Sequence, residues 1–422
     1  MTRRAQMTLA LVVVTGALCA PLTAVAAEPP ARLDIDVAGA IPDGEKKQAR
    51  MVLRGGGRSV YRGRIGIELR GQSSKLFPKQ GWSIELRDRK GDNRDVALLG
   101  MPADDDWVLY AGYNDKTLMR NVLAYEAARS LGRYASRTRF VEVRLNGRYH
   151  GVYVLMEKLK LSEERVDLPE PAQLLEWTFG FQARNKGESF RLPISRYHVL
   201  FEDPERSDIG RAERTEIRRS IGTAERALYG PESNDPVRGW RGHIDEAAAV
   251  DYVLLNELFK NQDAFHASTY LARGAGGRWQ LGPVWDFDIS MGNSDYGSSS
   301  ILHGSMLERR AWARRFYGDP AFVQAVTARW RELRAAGLGD ELLGSARRHA
   351  RRLASTGAAR RNFRRWPVLG VRLWPNPPAA VRRTTYASEV RALRTWLERR
   401  IAWMDGHVHM LGPGGPEADA AP

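Results

Sequence analysis

The sequence predicts an α+β fold of two lobes, a β-rich first lobe over about 32–160 and a mainly helical second lobe over about 161–411. Three observations carry this. Apolar and polar residues alternate in several runs of the first part, an Asn-Gly pair joins two such runs, and helical spacing takes over from about Ser162.

The elements follow in order. Arg3 and Arg4 precede an apolar run from Leu9 to Leu22 and the small residues Ala24-Val25-Ala26-Ala27. A basic start, a short apolar stretch and an A-x-A site read as a secretory leader over 1–27, with the export route left open. The run is too short to cross a bilayer comfortably, so the mature chain is expected to lack a transmembrane segment. Its expected location is periplasmic, cell-surface or extracellular. From Tyr61 to Leu69, the residues Tyr61, Ile65, Ile67 and Leu69 share one side, and Trp82 to Leu86 alternates again; both read as half-buried strands. Lys116 to Leu131 changes period and predicts a helix closed by Gly132. Phe140 to Leu145 and Tyr149 to Met156 flank Asn146-Gly147, where both turn positions need positive φ, so a hairpin is expected. Ile244 to Lys260 predicts a long helix with Asp245 and Glu246 in its first turn. Arg278 to Leu281 reads as a short strand, Val284 to Asp288 as a second strand or a turn, and Ile301 to Leu353 as mostly helix. Ala387 to Leu411 is an amphipathic closing helix, and the Gly/Pro/Ala-rich 412–422 is expected to be disordered.

Composition excludes several chemistries. Cys19, inside the leader, is the only cysteine, so the mature chain can hold no disulfide, thiol nucleophile or cysteine-ligated zinc. The formal charge of +15 is concentrated late, where Arg347, Arg348, Arg351, Arg352, Arg360, Arg361, Arg364 and Arg365 crowd one stretch. Two readings apply: a solvated helical face, or contact with an anionic surface through 347–365. No nucleic-acid motif is present, and aromatics are not interleaved with the arginines as a stacking platform requires.

Two carboxylate sites carry the candidate chemistry. Asp263 follows the long helix, and Asp286 and Asp288 lie in Trp285-Asp286-Phe287-Asp288 after a short strand. Carboxylates embedded in apolar sequence are costly to bury without a positive partner, and a hard divalent cation would be one. Capping or arginine pairing explains any one Asp, but not the set. The order also matches what phosphoryl transfer needs: one Asp near an acceptor hydroxyl, then another on a following hairpin to hold the metal at the phosphates.

Several motifs then occur in a fixed order. They are Leu69-Arg70-Gly71-Gln72-Ser73-Ser74 with Pro78-Lys79, Leu118-Met119-Arg120-Asn121, Asn146 to Lys158, Asn261-Gln262-Asp263, Pro283 to Asp288, and Trp396 to Ile401. Together they resemble the CotH kinase family, an atypical protein-kinase-like fold, along nearly the whole mature chain. The resemblance implies ATP, Mg²⁺ or Mn²⁺, and an exported or surface protein as acceptor. It implies that Asp263 orients or deprotonates the acceptor hydroxyl. Asp286 would hold the metal, and Asp288 would be a second ligand or its neighbour. Lys79 would contact phosphate as a point charge. Arg70 with Gly71 would shape the loop over the phosphates, or form a plain tight turn. Arg120 is open between a phosphate contact, an acidic partner across the cleft and a surface arginine. Glu157 is open between reading adenine through its backbone and an ordinary strand end. Where kinases place a metal-binding Asn after the catalytic Asp, this chain has Ser268, a weaker ligand for a second metal. The expected function is a secreted kinase acting on Ser or Thr. The rival reading is a non-catalytic envelope or surface module that keeps the fold, and transfer of another group from ATP, such as adenylyl, is a third.

Overall fold

Seven strands close into a barrel in the computed structural model, which describes residues 27–180, 189–297 and 299–412. The expected leader, except Ala27, and the tail beyond Gly412 lie outside the described residues. In chain order the first strands are β1 (Ala31–Asp36), β2 (Lys47–Gly55), β3 (Arg58–Arg70), β4 (Gly81–Arg87), a two-stranded ribbon of β5 (Val96–Ala97) and β6 (Ala103–Asp104), β7 (Asp106–Tyr110), β8 (Thr138–Leu145) and β9 (Arg148–Glu157). The barrel runs β1-β2-β3-β4-β7-β9-β8 and closes through a parallel pairing of β8 with β1.

The expected hairpin is β8–β9, with Asn146 at φ 48° and Gly147 at φ 76°. Asn146 also clamps Val37, accepting from its N–H at 2.8 Å and donating to its carbonyl at 2.9 Å. A Cβ added at Gly147 would meet nothing within 4 Å, so only the backbone opposes a side chain there. Gly147→Ala is expected to lower stability by about 1 kcal/mol, read as a lower urea midpoint at constant m-value. An unchanged midpoint would mean that the turn relaxes freely.

Strand β9 explains its own composition. Tyr153 and Leu155 point into the barrel core, whereas Val152, Val154 and Met156 point into the larger core of the rest of the chain. A strand buried on both faces reads as one apolar run. Helix α1 (Arg120–Ser130) packs on that outer face, with eight of its residues buried. It begins later than its periodicity predicts because 115–118 forms a turn. The Asp115 carboxylate accepts from the N–H of Thr117 at 3.1 Å and from that of Arg120 at 2.9 Å, which caps the helix.

Beyond the barrel helices predominate, with the short strand expected near Leu281, but helix does not take over at Ser162. A second, antiparallel sheet of β10 (Gln173–Thr178), β11 (Phe190–Arg191), β12 (His198–Asp203), β13 (Thr269–Arg273) and β14 (Gln280–Leu281) runs β11-β12-β10-β13-β14. All six residues of β10 are buried, so its sequence carries no alternation to read. The helices are α2 (Arg211–Tyr229), α3 (Glu246–Phe259), α4 (Ala311–Tyr317), α5 (Pro320–Ala335), α6 (Leu338–Ser355), α7 (Ala358–Arg365) and α8 (Tyr386–His407). Among the described residues no helix is long and apolar enough to cross a membrane.

Two of these elements position the candidate site. Helix α3 is capped by the Asp245 side chain on the N–H of Ala248 at 2.7 Å and stops at Lys260, which takes a left-handed φ of 48°. Its last turn is locked from below by Glu257, which is fully buried. Glu257 accepts from the N–H groups of Met306 and Leu307, from the hydroxyls of Ser305 and Tyr317, and pairs with the fully buried Arg400 of α8 at 3.3 Å. The chain leaving α3 reaches Asp263, and the chain leaving β14 reaches Asp286 and Asp288.

Candidate functional site

Backbone strain marks the place. Among the described residues nine non-glycine residues have positive φ, and five of them (Lys260, Phe265, Ser268, Asp286 and Met291) lie on the two segments that carry the carboxylates. Such conformations cost about 1–3 kcal/mol each and persist where the surroundings over-determine them.

Helix α1 supplies much of that surrounding. Asn121 Oδ1 accepts from the N–H of Phe287 at 2.6 Å, and the N–H of Asp286 donates to the Tyr125 hydroxyl at 3.3 Å. Arg120 donates to the carbonyls of Ser290 at 3.2 Å and Met291 at 3.5 Å. The Trp285–Met291 loop is thus pinned to α1 at both ends. From the other side Asn293 donates to the Asp288 carbonyl at 2.7 Å and to the Asn114 carbonyl at 3.2 Å.

The carboxylates converge. A hydrogen bond joins Asp286 to Asp288, and Asn114 hydrogen-bonds Asp288. Asp263 is partly open to solvent but densely surrounded; burial and the Asp288 charge raise it to about 7, against the pull of Arg310. Burial and Asp263 raise Asp286 to about 6, with the Asp288 hydrogen bond and the Arg70 charge acting the other way. Burial, Asp286 and Asp115 push Asp288 well above the usual carboxylate range. No Lys or Arg of the described residues forms an ion pair with any of the three; Arg310, whose charge acts on Asp263, spends a donor on the Gln262 carbonyl.

That is the signature expected of a hard divalent cation's ligands. Two other acidic groups, Glu85 with Asp105 and Asp106, and Asp95 with Asp104 and Asp105, come closer together. They sit at the barrel among Lys46, Lys158, Lys160 and Arg165, which pair with most of these carboxylates and neutralise them. Asp286 and Asp288 fit a metal better, because no Lys or Arg among the described residues pairs with either.

The other expected site residues divide. Arg70 lies over the Trp285 ring at 5.2 Å and its charge acts on Asp286, so it belongs to the site. Ser268 is partly exposed and close in sequence to Asp263. Lys79 is only 1 % exposed: its ammonium donates to the Val152 carbonyl at 2.5 Å and to Asn362 at 3.1 Å, over the Tyr153 ring, and burial lowers it to about 7. It ties the barrel to α7 rather than standing free as a phosphate contact. Arg120 is neither a surface arginine nor free for phosphate. It is 2 % exposed and paired with the fully buried Asp115 at 2.5 Å, so a desolvated ion pair consumes it. Glu157 is no surface strand end either. Its carboxylate accepts from the Arg137 N–H at 2.7 Å, the Arg137 guanidinium at 2.8 Å and the Tyr134 hydroxyl, and its own N–H donates to the Arg137 carbonyl, which removes that donor from adenine. His266 packs edge-on against Phe179 at 4.3 Å, the ordinary use of a lone histidine.

Sequence reasoning missed Asn114, Asp115, Tyr125 and Arg310. The signal for the first two was a polar Asn-Asp step just before a helix, the pattern of a cap. Arg310 had no signal, since it comes from a distant loop.

The family model described as CotH kinase protein matches residues 67–404. No curated protein matches the chain.

Proposed function

Because this chain belongs to the CotH kinase family, we propose that it moves the γ-phosphoryl group of ATP onto a Ser or Thr hydroxyl of an exported or surface protein. In this reading the barrel with α1 is the N-lobe of a kinase-like fold, the remainder to about residue 411 is the C-lobe, and the leader directs export. One observation carries the proposal: three neighbouring carboxylates with raised pKa, two of them on a strained loop, have no ion-paired Lys or Arg among the described residues.

The roles follow from chemistry. A divalent ion at Asp286 and Asp288 would neutralise phosphate charge as the transferred group leaves ADP. Asp263, poised at about 7, suits a general base: it orients the acceptor hydroxyl and takes its proton as the new P–O bond forms and the bridging P–O bond breaks. Arg70 lies where its guanidinium can meet phosphate oxygens beside Asp286. Positioning and charge neutralisation, not a covalent intermediate, supply the rate.

The binding-module reading draws its support from Lys79 and Glu157, both engaged elsewhere, and from Ser268. The test for both is incubation of the mature protein with γ-labelled ATP and Mn²⁺ or Mg²⁺, beside a metal-free control. Metal-dependent label on protein supports the kinase reading. Absence of label together with absence of any metal- and ATP-dependent rise in melting temperature would remove it and leave the module. A product heavier by a nucleotide would point to adenylyl transfer.

Ser268 offers a graded check. Its φ of 47° lies in the left-handed region, which asparagine enters several-fold more readily than most residues. Ser268→Asn is expected to raise stability by about 0.5–1 kcal/mol and to increase labelling several-fold at limiting metal. A gain in stability with no change in metal dependence would exclude position 268 from metal binding.

A further inference from the structure

Eleven of the twelve tryptophans are at most 9 % exposed, but Trp374 is 56 % exposed. It does not stand alone. The Tyr296 ring, 39 % exposed, stacks on it with centroids 6.1 Å apart and planes 14° from parallel. Val371 and Val381 on the Trp374 segment are also exposed, so Tyr296 and this segment supply four of the eight exposed large apolar side chains among the described residues. An exposed, stacked aromatic pair gains nothing from the core and marks a binding surface.

Its attachment shows what it serves. The Asp295 N–H donates to the Pro375 carbonyl at 2.9 Å, joining the two loops that carry the rings. Asn376 donates to the Asn114 carbonyl at 3.0 Å and to Asn293 Oδ1 at 3.1 Å, and Asn293 in turn holds the Asp288 carbonyl. On the other side the Gln262 side chain, next to Asp263, donates to the Tyr296 carbonyl. The platform is therefore fixed to both carboxylate segments through short, buried polar links. Beside it Arg382 is exposed, while Arg372, also exposed, pairs with Asp295 at 2.5 Å.

We propose that Tyr296 and Trp374 form the recognition platform for the acceptor: a protein segment presenting an apolar or aromatic side chain near its Ser or Thr, with neutral or acidic flanks. The Ser/Thr part of this statement rests on the phosphotransfer reading; the apolar docking does not. A stacked aromatic pair on a segment with two further exposed valines fits an apolar side chain better than a sugar, which would need polar partners around the stacking ring. Basic flanks would meet the exposed Arg382 and be disfavoured.

The test uses the mature chain and paired peptides of about a dozen residues, each with one Ser and either Phe or Ala two residues away. With eleven tryptophans buried, acrylamide quenching reports chiefly on Trp374. The Phe peptide is expected to protect that fluorescence and the Ala peptide to do so far less. In the labelling assay Trp374→Ala is expected to raise KM for the Phe peptide about tenfold and erase the Phe/Ala preference, the loss falling on KM rather than kcat. Trp374→Phe should retain most of the preference, and the metal- and ATP-dependent thermal shift should not move in either variant. Equal binding of the two peptides by the unmodified chain, or a Phe peptide that leaves quenching unchanged, would overturn the platform. Labelling without discrimination would sink the platform and leave the phosphotransfer reading standing. Protection of Trp374 with no labelling of any peptide would do the reverse.

Discussion

Asp286→Asn is expected to abolish labelling from ATP, by at least about 100-fold, while making the metal-free protein harder to unfold at pH 8. The two effects share one cause. The ordinary value for this group is 3.8, and the fold raises it to about 6. The folded state therefore holds the proton more tightly than the unfolded chain does. Between about pH 4 and pH 6 the unfolded chain is ionised first, so stability falls as pH rises through that window, and the loss is complete above it. At about 1.4 kcal/mol per pH unit the cost at pH 8 is of order 1–3 kcal/mol. Asn removes that cost and the metal ligand together. Unfolding midpoints at pH 5 and pH 8, with and without Mn²⁺, check the argument. The unmodified chain should gain stability from Mn²⁺ at pH 8 and little at pH 5, where protons compete; the variant should gain little at either. A variant that is less stable at pH 8, or one that still transfers label, would make Asp286 a structural residue.

Arg120→Ala is expected to cost about 3–5 kcal/mol of stability, enough to unfold many domains of marginal stability. The reason is Asp115. With no exposure of its own, it would be left as a buried charge beside Asp288, whose proton it already helps to hold. The carbonyls of Ser290 and Met291 would also lose their donor, loosening the loop that presents Asp286. Arg120→Lys keeps the charge but not the planar fork, so a smaller loss is expected. Adding Asp115→Asn to the Ala variant should recover part of the loss, because the unpaired charge disappears. Urea denaturation reads all three. A folded, equally stable Arg120→Ala protein with a raised KM for ATP would instead restore the phosphate contact that its motif implied.

The motif Leu118-Met119-Arg120-Asn121 illustrates how far a sequence can be read. Its presence was visible, and its place at the start of a helix was nearly right. Its use was not, because Arg120 and Asn121 act on carbonyl and N–H groups about 170 residues away in the chain. Lys79 and Glu157 failed for a related reason. Their partners, Asn362 and Arg137, are supplied by elements whose packing no local pattern announces. The all-buried β10 was invisible as a strand, since a strand covered on both sides has no alternation.

By itself the sequence determined the elements whose information is local. These were the β8–β9 hairpin, set by the φ demands of Asn146-Gly147, the acidic start of α3 at Asp245 and Glu246, and the carboxylates that end α3 and follow β14. It also determined the family, through motifs whose order survives without knowledge of their contacts. Only the tertiary structure decided which charges are paired. Asp115 meets Arg120 and Glu257 meets Arg400, whereas Asp286 and Asp288 meet each other and feel the charge of Asp263. A buried charge takes its energy from neighbours within a few ångströms in space, whatever their distance along the chain.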